Sequence, residues 1–158
     1  MFEQPAESPF APGNHDKDDS ALRQYIVFRL NEEIESFFNE LETWAPPYIE
    51  EHSERLLGKT LTPEQVDFGL VRNVKRAEGR QPLVKFKLNM PGSSKPTRCW
   101  DENKCPVEWI SDWVGKSIKL KMFVSHLWVM GSGSKAEFGF VVIVTGALEE
   151  KQIFDFPF

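Results

Sequence analysis

Ile118-Lys119-Leu120-Lys121-Met122-Phe123-Val124-Ser125-His126-Leu127-Trp128-Val129-Met130 is the stretch whose reading decides the fold of this chain. It reads as one long β-strand. Successive side chains on a strand point to opposite faces. Ile118, Leu120, Met122 and Val124 therefore share one face, and Lys119, Lys121, Phe123 and Ser125 share the other. Leu127 and Trp128 point opposite ways, with at least one of them buried, and His126 reads as a hydrogen-bonded packing residue rather than a catalyst.

Working outward, Gly131-Ser132-Gly133-Ser134-Lys135 is a hairpin loop leading into a second strand, Phe138 to Val144. The loop lacks the helix start that gives a phosphate loop its dipole. Upstream, Val84, Phe86, Leu88 and Met90 alternate with Lys85, Lys87 and Asn89, again a strand with one charged face. Val66, Phe68 and Leu70 alternate with Asp67 and Gly69 and predict another strand. Ala77-Glu78-Gly79-Arg80 is a turn, and Pro91 to Pro96 a loop. Trp109, Ile110, Trp113 and Val114 are spaced for a helical turn or two within Pro106 to Val114. Residues 59–148 are thus expected to form an OB-like barrel or curled sheet of about five strands, a sandwich being the other compatible layout.

The N-terminal part reads differently. Residues 1–20 carry three prolines and an acidic cluster and predict a flexible arm. Tyr25 to Leu30 suits a strand or the start of a helix. Ile34, Phe37, Phe38 and Leu41 recur at helical spacing after Asn31, a suitable N-cap, and Pro46-Pro47 is expected to stop that helix. Pro47 can open a second short helix ending at Gly58. Residues 21–58 are therefore expected to be an acidic helical extension, which makes the predicted fold class mainly β with an α-helical N-terminal extension.

Charge separates these regions. Residues 1–58 carry four basic against 13 acidic side chains, whereas residues 59–148 carry 14 basic against eight acidic ones. A basic middle between acidic ends points to a polyanion partner. If the lysine-bearing strands are neighbours, Lys85, Lys87, Lys119 and Lys121 share one surface with Phe123. Arg72, Lys75, Arg76 and Arg80 crowd the adjacent hairpin, and Arg98 and Trp100 lie on a loop. Cations that track phosphates, with rings that stack on splayed bases, are what unspecific single-strand binding requires. For any one of these lysines, the competing reading is a merely solubilising charge.

Other classes are poorly supported. The phosphate-loop, dinucleotide, nucleophile-elbow and zinc-protease motifs are absent, so no catalytic activity and no cofactor are expected. Cys99, Cys105 and three scattered histidines lack metal-site spacing. No apolar run is long enough to span a membrane, the N-terminus does not read as a signal peptide, and two cysteines suit a reduced, intracellular setting.

The chain ends in an acidic, aromatic segment, 149–158, that closes on Asp155-Phe156-Pro157-Phe158. Either its rings dock on the protein's own core, or they are offered to a partner's apolar pocket with a basic rim. With this terminus, the chain resembles the OB-fold single-stranded DNA-binding proteins, in a divergent, viral or phage-like form. Bacterial members close on Ile-Pro-Phe; here Asp155, Pro157 and Phe158 fall on the pattern, with Phe156 replacing Ile. The resemblance implies that residues 59–148 hold single-stranded DNA, RNA being the other ligand the same chemistry accepts. It also implies that Asp155, Phe156, Pro157 and Phe158 recruit replication, repair or recombination proteins. A homo-oligomer is compatible, since small barrels have edges to pair. The alternative is a structural or interaction module, such as a virion or assembly component, using its acidic helix and apolar tail.

Overall fold

The computed structural model describes residues 2–13, 23–132 and 135–151. In chain order the elements are β1 (Ala6–Glu7), β2 (Arg23–Arg29), α1 (Glu32–Leu57), α2 (Pro63–Gly69), β3 (Leu70–Val71), β4 (Val74–Lys75), β5 (Leu83–Asn89), β6 (Arg98–Trp100), β7 (Pro106–Val107), β8 (Ser117–Ser132) and β9 (Lys135–Glu149).

The spine is the antiparallel β8–β9 hairpin, whose register shifts between Lys121 and Met122 and again between Val124 and His126. The other edge of β9 takes three partners in succession. β3 pairs in parallel at Phe138 and Gly139, β5 at Ile143 and Val144, and β6 from Gly146 to Leu148. β2 pairs antiparallel with all seven residues of β5. The fold is mainly β as expected, but the nine-stranded sheet is open, and its main path, β1-β8-β9-β5-β2, draws β1 and β2 from outside residues 59–148, with β2 at its edge.

β2 falls within the segment read as a helical extension, so residues 21–58 supply an edge strand of the sheet as well as the long helix. The sheet's inner face buries Ile26, Phe28, Val84, Phe86, Leu88, Ile118, Leu120, Phe138, Val142 and Val144. α1 closes this core with Ile34, Phe38, Ala45 and Ile49.

Four expectations are corrected. The first concerns α1, which runs unbroken through Pro46 and Pro47. Each proline costs up to about 3 kcal/mol in a helix interior. Against that, each large side chain of the buried stripe gains roughly 1.5–3 kcal/mol, and a break would swing Ile49 out of line. The ring ladder confirms continuity. Trp44 stacks on Tyr48 at 4.8 Å across the prolines, and Tyr48 meets His52 at 4.4 Å on the turn that follows, four residues apart each time. Asn31 Oδ1 accepts from the Ile34 amide as N-cap, and Gly58 ends the helix with a left-handed φ of 71°.

The second concerns Pro63–Gly69, which is helix, not strand. Thr62 and Gln65 form a capping box with Pro63 at the first turn. A period near 3.6 then puts Val66 and Leu70 together in the core and leaves Phe68 90% exposed.

Third, Pro106 to Val114 forms no helix. Pro106 and Val107 pair with Trp100 and Cys99, while Ile110 and Trp113 plug the core from irregular backbone. The short segment has no capping residue to offset nucleation.

Fourth, the arm is docked over residues 2–13. The Phe2 ring meets Phe37 edge-on at 5.6 Å, and its amide donates to the Leu120 carbonyl at 3.0 Å. Ser8, fully buried, places its hydroxyl 2.6 Å from the Val27 carbonyl. The arm thus lies across the gap between β8 and β2.

Candidate nucleic-acid interface

The strand registers determine what the outer face of the sheet presents. Residues directly opposite in adjacent strands share a face. One row runs Tyr25–Lys87–Ile143–Phe123 across β2, β5, β9 and β8. A second runs Arg98–Gly146–Lys121, a third Trp100–Leu148–Lys119, and a fourth Val71–Gly139–Trp128. Lys85, Lys87, Arg98, Trp100, Lys119, Lys121 and Phe123, seven residues picked from the sequence, therefore share one face.

Sequence alternation fails at Ser125. The register skips this residue, so His126, Trp128 and Met130 join the lysine face while Leu127 and Val129 turn toward the core. A bulge does this by inserting one residue against none on the partner strand. Of the pair expected to point opposite ways, Leu127 packs against the core and Trp128 is half-buried on the outer face, while His126, read as a packing residue, is exposed there. A Cβ on Gly139 would lie 3.0 Å from the Trp128 ring and 2.9 Å from the Val71 carbonyl, so only glycine lets the indole rest against the strand. Gly146 does the same for Trp100: a Cβ there would lie 3.2 Å from that ring and 3.3 Å from the Lys121 Cβ. Trp100 and Lys121, 21 positions apart in the chain, thus overlie one backbone site.

Among the described residues, two overlapping recesses lie at the Tyr25 end of this face. One, of about 430 Å³, lies among Tyr25, Arg72, Lys75, Lys85, Lys87, His126 and Trp128. The other, of about 330 Å³, lies among Phe10, Tyr25, Val27, Asn73, Lys75 and Lys85. They share Tyr25, Asn73, Lys75 and Lys85, so they form one bent groove. The Lys85 ammonium sits 3.9 Å from the Tyr25 ring centroid and that of Lys87 5.5 Å from it. Burial, then repulsion from Lys75 and Lys87, holds the Lys85 pKa below the ordinary lysine value. Sequence reasoning missed Tyr25, Phe10 and Asn73. The alternation of Tyr25 and Val27 with the apolar Ile26 and Phe28 was the available signal for the first.

The remaining predicted residues are less simply placed. Arg72 lines the groove but pairs with Glu42 of α1 at 2.6 Å, and Arg76 pairs with Glu35 at 3.1 Å. Arg80 is exposed in the 77–80 turn and lines neither recess. The Lys119 ammonium meets Glu150 at 3.2 Å, and that of Lys116 meets Glu149 at 3.0 Å, so the first acids of the C-terminal segment lie against the basic face. Asp155, Phe156, Pro157 and Phe158 lie outside the described residues. Cys99 is buried, which pushes its thiol pKa up, and Cys105 is exposed; both are free thiols. No helix among the described residues is long and apolar enough to cross a membrane.

No family model and no curated protein matches the sequence. Solved structures do match the fold. The single-stranded DNA-binding protein gp2.5 encoded by bacteriophage T7 superposes with a TM-score of 0.59 at 12% identity, over 96% of this chain and 90% of that one. The single-stranded DNA-binding protein from bacteriophage Enc34, solved in complex with ssDNA, gives a TM-score of 0.51 at 9% identity, over 98% of this chain and 87% of that one. The resemblance read from the sequence is met in three dimensions: this chain has the fold of phage single-stranded DNA-binding proteins.

Proposed function

We propose that this protein binds single-stranded DNA, without catalysis, along the outer face of β8, β9, β5 and β2. The observation that carries this reading is the cross-strand register, which gathers Lys85, Lys87, Lys119 and Lys121 on one face with Tyr25, Trp100, Phe123 and Trp128. Cations at that spacing track a flexible phosphate backbone, and the rings offer stacking worth about 1–3 kcal/mol per base. The fold shared with proteins whose structures are described as single-stranded DNA-binding supports the same reading.

The proposal extends to a role in replication, repair or recombination, with residues 149–158 recruiting partner proteins. The acid-aromatic sequence of that terminus supports it. The test is a titration with oligo-dT, following Trp fluorescence at several salt concentrations. Quenching that weakens linearly in log salt is expected. Absence of quenching at low salt, or binding indifferent to salt, overturns the reading. Deleting residues 152–158 should leave DNA binding and abolish capture of replication proteins; a deletion that unfolds the chain would mean that the rings belong to its core.

A further inference from the structure

We infer that the recess walled by Phe10 and Tyr25 receives a single nucleobase, and that Asn73 there favours bases carrying an exocyclic amino group. This inference rests on the single-strand reading above. At about 330 Å³ the recess falls in the size range of small-ligand sites. Its lining is mainly apolar: Val27, Leu83 and Val84 with the rings of Phe10 and Tyr25. Lys75 and Lys85 stand at the same recess, where a phosphate following the base would lie.

Phe10 belongs to the N-terminal arm and is 60% exposed. Its position is nevertheless fixed from both sides. Ser8 is anchored at the Val27 carbonyl, and Gly13 exchanges backbone hydrogen bonds with Tyr25 at 3.0 and 2.6 Å. An exposed ring held at the mouth of an apolar recess is positioned to stack.

Asn73 supplies the polar discrimination. Its Nδ2 donates to the Lys85 and Phe140 carbonyls, both at 3.3 Å. Both amide hydrogens are thereby committed. Reversing the amide would set Oδ1 against two carbonyl oxygens, so the orientation is fixed. Asn73 Oδ1 accepts no hydrogen bond from the described residues, and it is not among the buried polar atoms lacking a partner. It is left as an acceptor open to the groove. Cytosine, adenine and guanine can each donate to it from an amino group. Thymine offers only N3–H, flanked by two carbonyl oxygens that repel Oδ1.

The experiment uses the full chain and short homo-oligonucleotides of dC, dT and N4,N4-dimethyl-dC, compared by fluorescence anisotropy at mildly alkaline pH, where cytosine is neutral. The dimethylated base keeps the ring but has no amino hydrogen. The dC oligonucleotide should bind roughly threefold to tenfold tighter than either of the others, as expected for one direct hydrogen bond. Asn73→Ala should erase that preference. Phe10→Ala should weaken all three alike and keep it. Equal affinity of the intact chain for all three overturns the inference while leaving single-strand binding standing. Binding to none overturns both. The modified base makes the result independent of whether Asn73→Ala folds.

Discussion

Replacing Lys85 and Lys87 together by Gln tests the electrostatic core of the interface. Both lysines face the groove and lie near the Tyr25 ring. Gln keeps the first two of the four methylenes of each stem, so the packing nearest the sheet is retained. For single strands, each neutralised phosphate contributes about 0.7 to the slope of log K against log salt. Losing two contacts should flatten that slope by about 1.4. Taking the electrostatic term as spent near ~1 M salt, the same slope change at about 0.1 M weakens binding by roughly 25-fold, or about 1.9 kcal/mol. The assay is a set of oligo-dT titrations across salt, with circular dichroism melts confirming an intact fold. Stability should not fall much, because the double change also removes like-charge repulsion among Lys75, Lys85 and Lys87. A variant with unchanged slope and affinity would show that the polyanion does not cross this groove.

Three further outcomes are expected. Because burial first, and then Lys75 and Lys87, depress the Lys85 pKa, and because a phosphate favours the ammonium, affinity should be full below that depressed value. It should decline as pH rises through it, beneath the ordinary lysine range. In the same window the unfolded chain binds more protons at this site, so its contribution to folding stability should rise with pH; Lys85→Gln should remove both trends in pH-resolved titrations and urea melts. Gly139→Ala should push the Trp128 ring and strand β3 apart, costing about 1–3 kcal/mol in chemical denaturation and shifting Trp emission; a silent substitution would mean the close approach is absent. Pro47→Ala, at an exposed position inside α1, should stabilise by about 1–3 kcal/mol and raise the melting temperature, since it restores an amide donor for the Thr43 carbonyl; a lower melting temperature would mean the helix breaks there.

The legible parts were those where pattern and burial agree over a long run. Val84, Phe86 and Leu88 are buried and Lys85 and Lys87 are not, as strict alternation requires. Lys119, Lys121 and Phe123 obey the same rule up to the bulge. Shorter segments misled. Val66, Phe68 and Leu70 fit a period of two, but three apolar residues do not distinguish a strand from one helical turn plus a strand start, and the Thr62–Gln65 capping box settled it locally. The proline pair was read by its intrinsic cost, which the buried stripe of α1 outweighs.

Sequence alone determined that a basic, ring-bearing strand face exists, because the alternation of Lys with Ile, Leu and Phe is a local property of extended backbone. Tertiary structure decided which residues complete it. The skip at Ser125 turned His126 and Trp128 outward, long-range pairing brought Tyr25 beside Lys87, and the docked arm carried Phe10 to the groove. None of these depends on near neighbours. Each follows from the register between segments distant in the chain, which a one-residue slip would reverse.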